Sequence, residues 1–144
     1  MTTALNGEEL AKKIAEAVPG SVVSSDKSSI IIDGKSLLQV AEHFKNKLGF
    51  DYLTAVTGVD YIDYFEVVYR VVSMQHNQSI FLKARCYTRE DPALPSVTPV
   101  WRAAYYQERE IYDLLGIKFE GHPYLKRLLL WEGFNGYPLR RDYL

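Results

Sequence analysis

Two strand-forming runs near the middle of the chain constrain its fold more than any other feature. YFEVVYRVVSM and SIFLKARCY are rich in β-branched and aromatic residues, and they flank a short polar stretch, QHNQ. In the second run, Ile80, Leu82, Ala84 and Cys86 alternate with more polar positions. Successive strand residues point to opposite faces, so one face is apolar and the other half polar. The two runs predict an antiparallel hairpin within a sheet that buries one face.

The region before this hairpin alternates between helix and strand patterns. NGEELAKKIAEAVPG predicts a helix with Asn6 as N-cap, Glu9 completing a capping box, and Pro19 and Gly20 as the stop. SVVSS and SIIID predict a short hairpin, and DYLTAVTGVDY predicts a strand followed by a turn. Between them, SLLQVAEHFKNKLGF predicts a second helix that ends at Gly49.

A third helix and an irregular segment follow the hairpin. Thr98 is predicted to cap this helix, with Pro99 in its first turn and Gly116 at its end. The last 29 residues contain four glycines and two prolines, which exclude a helix of normal length. They also carry too many large apolar side chains for a disordered tail. We therefore predict a packed tail that covers either its own sheet or a neighbouring protein.

These patterns together predict an α+β fold: a mostly antiparallel four- to five-stranded sheet packed with about three helices, followed by an irregular C-terminal tail. A length of 144 residues fits one domain. We expect a helix and strand core over residues 1–115 and an interface tail over residues 116–144.

Composition and charge exclude several classes of protein. The net charge is −1, so no global field draws the chain to nucleic acid or to an anionic membrane. The single cysteine, Cys86, excludes an internal disulfide and an iron–sulfur cluster, which takes about four thiolates. No apolar run approaches the ~20 residues of a membrane span, and MTTALNGEEL does not resemble a signal peptide. We expect a cytosol-facing protein that meets a membrane only through a partner.

The chain also offers little catalytic chemistry. His43, His76 and His122 lie far apart, without the spacing of metal ligands. Neither GxGxxG nor a P-loop is present. Cys86 lies on the apolar face of its strand, where a buried inert thiol is expected rather than a nucleophile.

The charged stretch of the third helix has two interpretations. Glu108 and Glu110 lie about 200° apart around a helix, so they cannot act as an acid–base pair on one substrate. Arg109 and Asp113 are four residues apart and can form an ion pair. The stretch is either a solvated, salt-bridged helix face or a docking helix whose charges meet those of a partner.

An RNA-binding module, or a free-standing enzyme that uses the sheet face, is the competing class. Aromatic and basic side chains on the strands could imitate a sheet on which RNA bases stack. These residues are Tyr64, Tyr69, Phe81, Lys83, Arg85 and Tyr87. The strands carry no RNP-like signature and the chain is slightly acidic, which disfavours this alternative.

The end of the chain resembles a known family. EREIYDLLGIKFEGHPYLKRLLL, followed by GYPLRRDY, is similar to the signature of the C subunit of respiratory complex I, the 30-kDa subunit of the mitochondrial enzyme. LTAVTGVDY, FEVVYRVVS, LKARC and PSVTPVWRAAYYQERE also fit, so the resemblance covers about residue 50 to the end. WEGF stands where relatives commonly have a proline and acidic residues. Because the sequence stops just after RRDY, the resemblance implies a smaller contact with the D subunit of the complex.

The resemblance implies structural roles for the residues of this signature: charge pairing along the helix, a glycine that ends it, and contacts with partners. These residues are Glu108, Arg109, Glu110, Tyr112, Asp113, Gly116, Glu120, Gly121, His122, Pro123, Lys126, Arg127, Gly136, Pro138, Leu139, Arg140, Arg141 and Asp142.

The resemblance also implies a function. Such proteins are non-catalytic parts of the hydrophilic arm of a proton-translocating NADH:quinone oxidoreductase, peripheral on the cytoplasmic face of the cell membrane. They dock mainly onto the D subunit, which holds the quinone site, beside the B and I subunits, and they bind no nucleic acid. FMN, iron–sulfur clusters and quinone belong to partners, and no cofactor is expected in this chain. The alternative within the family is the equivalent component of a related oxidoreductase that uses ferredoxin, a deazaflavin or hydrogen.

Overall fold

A computed structural model describes residues 3–4, 7–126 and 136–140 of the chain. Within these residues the chain forms eight strands, three α-helices and one short 3-10 turn. In chain order they are β1 (Thr3–Ala4), α1 (Gly7–Ala17), β2 (Val22–Ser25), β3 (Ser29–Ile32), the 3-10 turn (Gly34–Ser36), α2 (Leu37–Asn46), β4 (Tyr52–Asp60), β5 (Phe65–Ser73), β6 (Gln78–Cys86), β7 (Ala93–Pro95), α3 (Ala104–Leu115) and β8 (Lys118–Glu120). The predicted α+β class is confirmed. None of the described helices combines the length and hydropathy needed to cross a lipid bilayer.

The predicted central hairpin is confirmed. β5 and β6 pair antiparallel from Phe65 opposite Cys86 to Ser73 opposite Gln78. The described part of the main sheet has the order β2-β3-β6-β5-β4, and β1 lies parallel beside β6. The predicted β2–β3 hairpin is also antiparallel, but β3 then pairs parallel with β6. A second, two-stranded sheet joins β7 and β8 in parallel. The sequence did not predict these parallel pairings, because they join segments that are distant along the chain.

The helices cover one face of the main sheet. Val67, Tyr69 and Leu82 point to this face, and their side chains are fully buried. They belong to one hydrophobic cluster with Ile14 of α1 and Phe44 of α2, which are also fully buried. The alternation seen in the sequence of β6 therefore separates a buried inner face from an outer face.

The outer face does not form the aromatic platform that an RNA-stacking sheet requires. Phe81 is 38% exposed and Tyr87 is 65% exposed, but Tyr69 lies on the inner face with 0% exposure. The RNA-stacking alternative, which the sequence already disfavoured, therefore fails at Tyr69. Tyr69 pairs with Leu82 across β5 and β6, so the two residues share the apolar side of the sheet.

The hydroxyl of Tyr69 leads to a prediction about stability. This buried oxygen makes no hydrogen bond within the described residues. An unsatisfied buried polar group costs about 1–3 kcal/mol. Tyr69→Phe is therefore expected to raise the free energy of unfolding by about 1 kcal/mol in urea denaturation. Tyr52→Phe, at a ring that is 52% exposed, serves as the control and should change little. A less stable Tyr69→Phe protein would show that the hydroxyl has a partner in solution.

The third helix begins later than the sequence predicts. α3 starts at Ala104, and the preceding residues form turns in which the backbone nitrogens of Val100 and Trp101 both donate to Val97. Thr98 does not cap the helix, because its hydroxyl lies 2.8 Å from the hydroxyl of Ser96 in a buried cluster. The turns also bury the Trp101 indole, whose Nε1 donates to the carbonyl of Phe50 at 2.9 Å. The predicted N-cap of α1, Asn6, lies outside the described residues.

Candidate docking surface

Glu108 is the internal anchor of α3. Its carboxylate has 0% exposure and accepts hydrogen bonds from the Ser96 hydroxyl at 2.8 and 3.0 Å. The backbone nitrogen of Val97 donates to the same carboxylate at 3.0 Å. Glu108 thereby ties the loop after β7 to the helix, which places the turns that lead into α3.

Burial dominates the ionisation of Glu108. Removal from water raises the pKa of this carboxyl to about 7, although the hydrogen bonds from Ser96 and Val97 oppose the rise. Asp113, one of the other charged residues of α3, is likewise 0% exposed. The interpretation of α3 as a solvated charged helix is therefore wrong at Glu108 and Asp113.

The outward side of α3 carries the remaining charges. Glu110 is exposed, while Glu108 is buried, so the two carboxylates do point apart as predicted. Tyr112 is half-buried, and its ring centroid lies 6.4 Å from that of Tyr137. The pairing of Arg109 with Asp113 remains a prediction.

The C-terminal residues 136–140 bind the end of α3, and we call this arrangement the tail clasp. The backbone nitrogen of Leu139 donates to the carbonyl of Leu114 at 3.0 Å. Nε of Arg140 donates to the carbonyl of Leu115 at 2.6 Å. The last carbonyls of a helix have no partner within the helix and carry partial negative charge, so a guanidinium satisfies both the hydrogen bond and the charge.

Gly116 makes the tail clasp possible. Its backbone is left-handed, with φ of 79°, which ends the helix as predicted. A Cβ atom at this position would lie 2.7 Å from Arg140 Nη2 and 2.7 Å from the Tyr137 ring. Glycine is thus required both for the turn and for the close approach of the tail.

A second group of residues lies where α3 meets the turn after β8, and we call it the tyrosine–arginine surface. The Arg109 guanidinium lies 5.9, 6.0 and 5.1 Å from the ring centroids of Tyr105, Tyr106 and Tyr124. Nε of Arg109 donates to the carbonyl of Lys126 at 3.2 Å, and the Lys126 ammonium lies 4.9 Å from the Tyr124 ring. Tyr106 is 62% exposed and Tyr124 is 47% exposed. Tyrosine and arginine are the residue types that dominate binding energy at interfaces.

His122 holds this surface in shape. Nδ1 accepts a hydrogen bond from the backbone nitrogen of Tyr124 at 2.9 Å, and Nε2 lies 2.8 Å from the Tyr105 carbonyl. A neutral ring with its proton on Nε2 satisfies both contacts. The ring also packs on Tyr105, with 4.9 Å between centroids. His122 therefore braces the turn after β8 against α3.

The other predicted residues surround these two groups. Glu120 is exposed at the end of β8, Gly121 and Pro123 are exposed in the turn that follows, and Gly136 and Pro138 are half-buried in the tail clasp. A cleft of ≈ 580 Å³ borders the tyrosine–arginine surface beside the same turn. Three further predicted residues lie outside the described part of the chain: Arg127, Arg141 and Asp142.

Two features were missed by reasoning from the sequence. Ser96, which binds Glu108, lies in a proline-rich stretch that gave no signal of a buried role. Asp60 accepts two hydrogen bonds from Arg89, at 2.7 and 2.8 Å, across 29 positions of sequence. Pairs so far apart along the chain leave no local pattern to find.

The cysteine and the potential metal ligands of the described residues do not form a common cluster. Cys86, the last residue of β6, is 6% exposed, and burial raises the pKa of its thiol to about 11. The predicted burial of Cys86 is confirmed, and a thiol with a raised pKa carries its proton at neutral pH. Within the described ranges, no three or more His, Cys, Asp or Glu side chains lie close enough to hold a metal ion.

Comparison with known sequences identifies similar proteins. Residues 30–144 match the family described as "Respiratory-chain NADH dehydrogenase, 30 Kd subunit". The C subunit of the NADH-quinone oxidoreductase of Paramagnetospirillum magneticum is 38% identical over 99% of this chain and 75% of its own length. The C subunit of the Moorella thermoacetica enzyme is 40% identical over 82% of this chain and 80% of its own length. The C 2 subunit of the Rhizobium meliloti enzyme is 44% identical over 67% of this chain, which spans about half (53%) of that relative.

A solved structure has the same fold. It belongs to a membrane-bound sulfane sulfur reductase, an archaeal respiratory membrane complex. The match has a TM-score of 0.74 and covers 94% of this chain and 84% of the other. At 23% identity, this match establishes the fold only.

Proposed function

This chain belongs to the family of the 30-kDa subunit of respiratory-chain NADH dehydrogenase, and we propose that it is a non-catalytic assembly subunit of a complex I-like oxidoreductase. In this role it docks mainly onto the D subunit at the quinone site, beside the B and I subunits, in the hydrophilic arm on the cytoplasmic face of the membrane. FMN, iron–sulfur clusters and quinone are held by partners. NADH as donor and quinone as acceptor come from the names of the relatives.

One observation carries the proposal: the signature residues divide into an internal brace and an external aromatic surface. Glu108, Gly116 and Arg140 face inward and hold α3, the preceding loop and the tail together. Arg109 and Lys126 belong to the tyrosine–arginine surface, beside the exposed rings of Tyr106 and Tyr124. Such a division fits a rigid platform that presents a binding surface, because preorganisation lowers the entropic cost of association.

The related respiratory complex favours one alternative. The fold also serves in a membrane complex named for the reduction of sulfane sulfur. That complex is not named for NADH or quinone, so we keep as the second candidate the same assembly role in a related membrane oxidoreductase, with ferredoxin, a deazaflavin or hydrogen as donor. The donor proteins that co-purify with the chain distinguish the two.

Arg109→Ala is expected to weaken assembly more than folding. Truncating one partner of a buried interface charge pair costs about 2–5 kcal/mol. Within the chain, Arg109 contributes cation–π contacts worth about 0.5–1 kcal/mol each where they are exposed. Recovery of partner proteins with the tagged variant should fall at least about tenfold, as a loss of 1.4 kcal/mol in binding already gives. The melting temperature of the isolated chain should fall by several degrees at most, so the variant remains folded during the purification.

Lys12→Ala is the matched control for this experiment. It likewise removes a cation from a helix, but Lys12 is exposed on α1, outside the tyrosine–arginine surface. It should assemble like the wild type. Equal recovery of partners with Arg109→Ala and the wild type would contradict the proposed use of this surface.

A further inference from the structure

The turn between β4 and β5, which we call the hairpin tip, has a strained backbone. The tip comprises residues 61–64. The nitrogen of Asp63 donates to the carbonyl of Tyr61 at 2.9 Å, and the residue between them, Ile62, has φ of 73°. A hydrogen bond across one residue at positive φ describes a rare, strained γ-turn. A β-branched residue in this region of φ is an outlier.

The surrounding residues hold Ile62 in this conformation. Its nitrogen donates to Asp60 Oδ1 at 2.8 Å, and its carbonyl accepts from Arg89 Nη1 at 2.9 Å. Arg89 also binds both carboxylate oxygens of Asp60, which is 4% exposed. The Arg89 guanidinium lies 4.6 Å from the centre of the Phe65 ring. Both backbone polar groups of Ile62 are thus fixed by a buried, bidentate ion pair.

The strain does not serve the packing of the Ile62 side chain in this chain. Ile62 is 57% exposed, and its neighbour Tyr61 is 45% exposed. Tyrosine rings lie alongside: the centroid of Tyr64 is 5.2 Å from that of Tyr61 and 5.6 Å from that of Tyr87. Backbone strain of this kind clusters at functional sites, and tyrosine is one of the residue types enriched in binding hot spots.

The charges around the tip indicate what binds there. Arg85 forms an ion pair with Glu66 at 3.1 Å, and Arg89 forms an ion pair with Asp60. Asp63, next to Ile62, is exposed and adds a negative charge at the tip itself. An anionic lipid surface would be repelled by this carboxylate, whereas a basic rim on a protein would attract it.

We propose that the hairpin tip is a preformed binding loop that inserts Ile62 into an apolar pocket on a neighbouring protein of the assembly. Lysine or arginine residues on the rim of that pocket lie opposite Asp63. This inference rests on the proposed function, because it requires that the chain is built into a complex. It adds a second contact site at the end of β4 and β5, separate from the tyrosine–arginine surface.

The test separates folding from assembly by replacing Ile62 with residues that accept a left-handed backbone. Asparagine and glycine both do so. Ile62→Asn should melt a few degrees above the wild type by circular dichroism, because the strain is relieved. The same tagged chain, expressed in a host that lacks the wild-type copy, should recover at least about tenfold less partner protein. Ile62→Gly should show the same loss of partners, so the result does not depend on one variant.

Met74→Asn is the matched control. Met74 is 66% exposed in the turn between β5 and β6, at the other end of β5. It should assemble like the wild type. Asp63→Lys should reduce the recovery of partner proteins several-fold. Normal recovery would contradict the proposal that basic residues of the partner lie opposite Asp63.

Other outcomes overturn the inference. Normal assembly of both the Ile62→Asn and the Ile62→Gly chains would overturn it. A melting temperature below that of the wild type for both variants would also overturn it. A wild-type dimer in sedimentation that Ile62→Asn abolishes would identify a second copy as the occupant. Binding to phosphatidylcholine–phosphatidylglycerol vesicles that is lost in Ile62→Asn would identify a membrane. A wild-type chain that recovers no partners overturns the proposed function, whereas normal assembly of the Ile62 variants overturns this inference alone.

Discussion

Gly116→Val is expected to lower the free energy of unfolding by roughly 3–5 kcal/mol, from backbone strain together with overpacking. The left-handed backbone at Gly116 disfavours any β-branched residue. In addition, the new Cβ would lie 2.7 Å from both Arg140 Nη2 and the Tyr137 ring, so these two side chains must shift from their positions in the tail clasp. Urea denaturation followed by circular dichroism measures the loss.

Gly121→Val separates the two causes. Gly121 has φ of 84°, close to that of Gly116, but a Cβ there meets no heavy atom within 4 Å. This variant therefore carries the backbone strain without the clash, and it should lose only about 1–3 kcal/mol. Equal losses at Gly116 and Gly121 would show that the tail clasp contributes nothing to stability in solution.

Glu108→Gln is expected to stabilise the chain at pH 8 by up to about 3 kcal/mol. Burial raises the pKa of Glu108 from 4.5 to about 7, so the folded chain binds this proton more tightly than the unfolded chain. The contribution of this group to stability is therefore greatest below pH 4.5, falls as the pH rises towards 7, and stays low above it. Glutamine does not titrate and keeps a carbonyl oxygen to accept a hydrogen bond.

The quantity to measure is the difference in the free energy of unfolding between Glu108→Gln and the wild type, as a function of pH. It should be small at pH 4 and largest at pH 8, in parallel thermal or urea denaturation. Glu110→Gln is the control, because Glu110 is exposed on the same helix. It should show no comparable pH dependence. A Glu108→Gln chain that is less stable than the wild type at pH 8 would mean that the buried carboxylate is needed in its charged form.

Local patterns were sufficient to predict most of the elements of the fold. The β5–β6 hairpin follows from alternation and β-branched content, both of which act between neighbouring residues. The parallel pairing of β3 with β6 depends on contacts between segments about fifty positions apart, which no local pattern encodes. The start of α3 was missed for a different reason: a cap pattern does not show that the hydroxyls of Ser96 and Thr98 bind in a buried cluster with Glu108 instead.

The candidate site was predictable in composition but not in arrangement. The helix periodicity separated Glu108 from Glu110, yet it did not indicate which of them is buried. That depends on the loop after β7, which supplies the hydrogen bonds that make burial of a carboxyl tolerable. The strained turn at Ile62 was also not predictable, because isoleucine is among the residues least suited to positive φ.

Affinity purification of the tagged wild-type chain from gently solubilised membranes of its host, with mass spectrometry of the co-purified proteins, tests the central claim most directly. The proposed function predicts co-purification of the quinone-site protein, cluster-binding proteins and membrane-embedded proteins of the complex, together with quinone reductase activity of the preparation. The donor proteins present would distinguish an NADH-dependent enzyme from a related complex. A chain recovered alone, or bound to RNA, would contradict the assembly role.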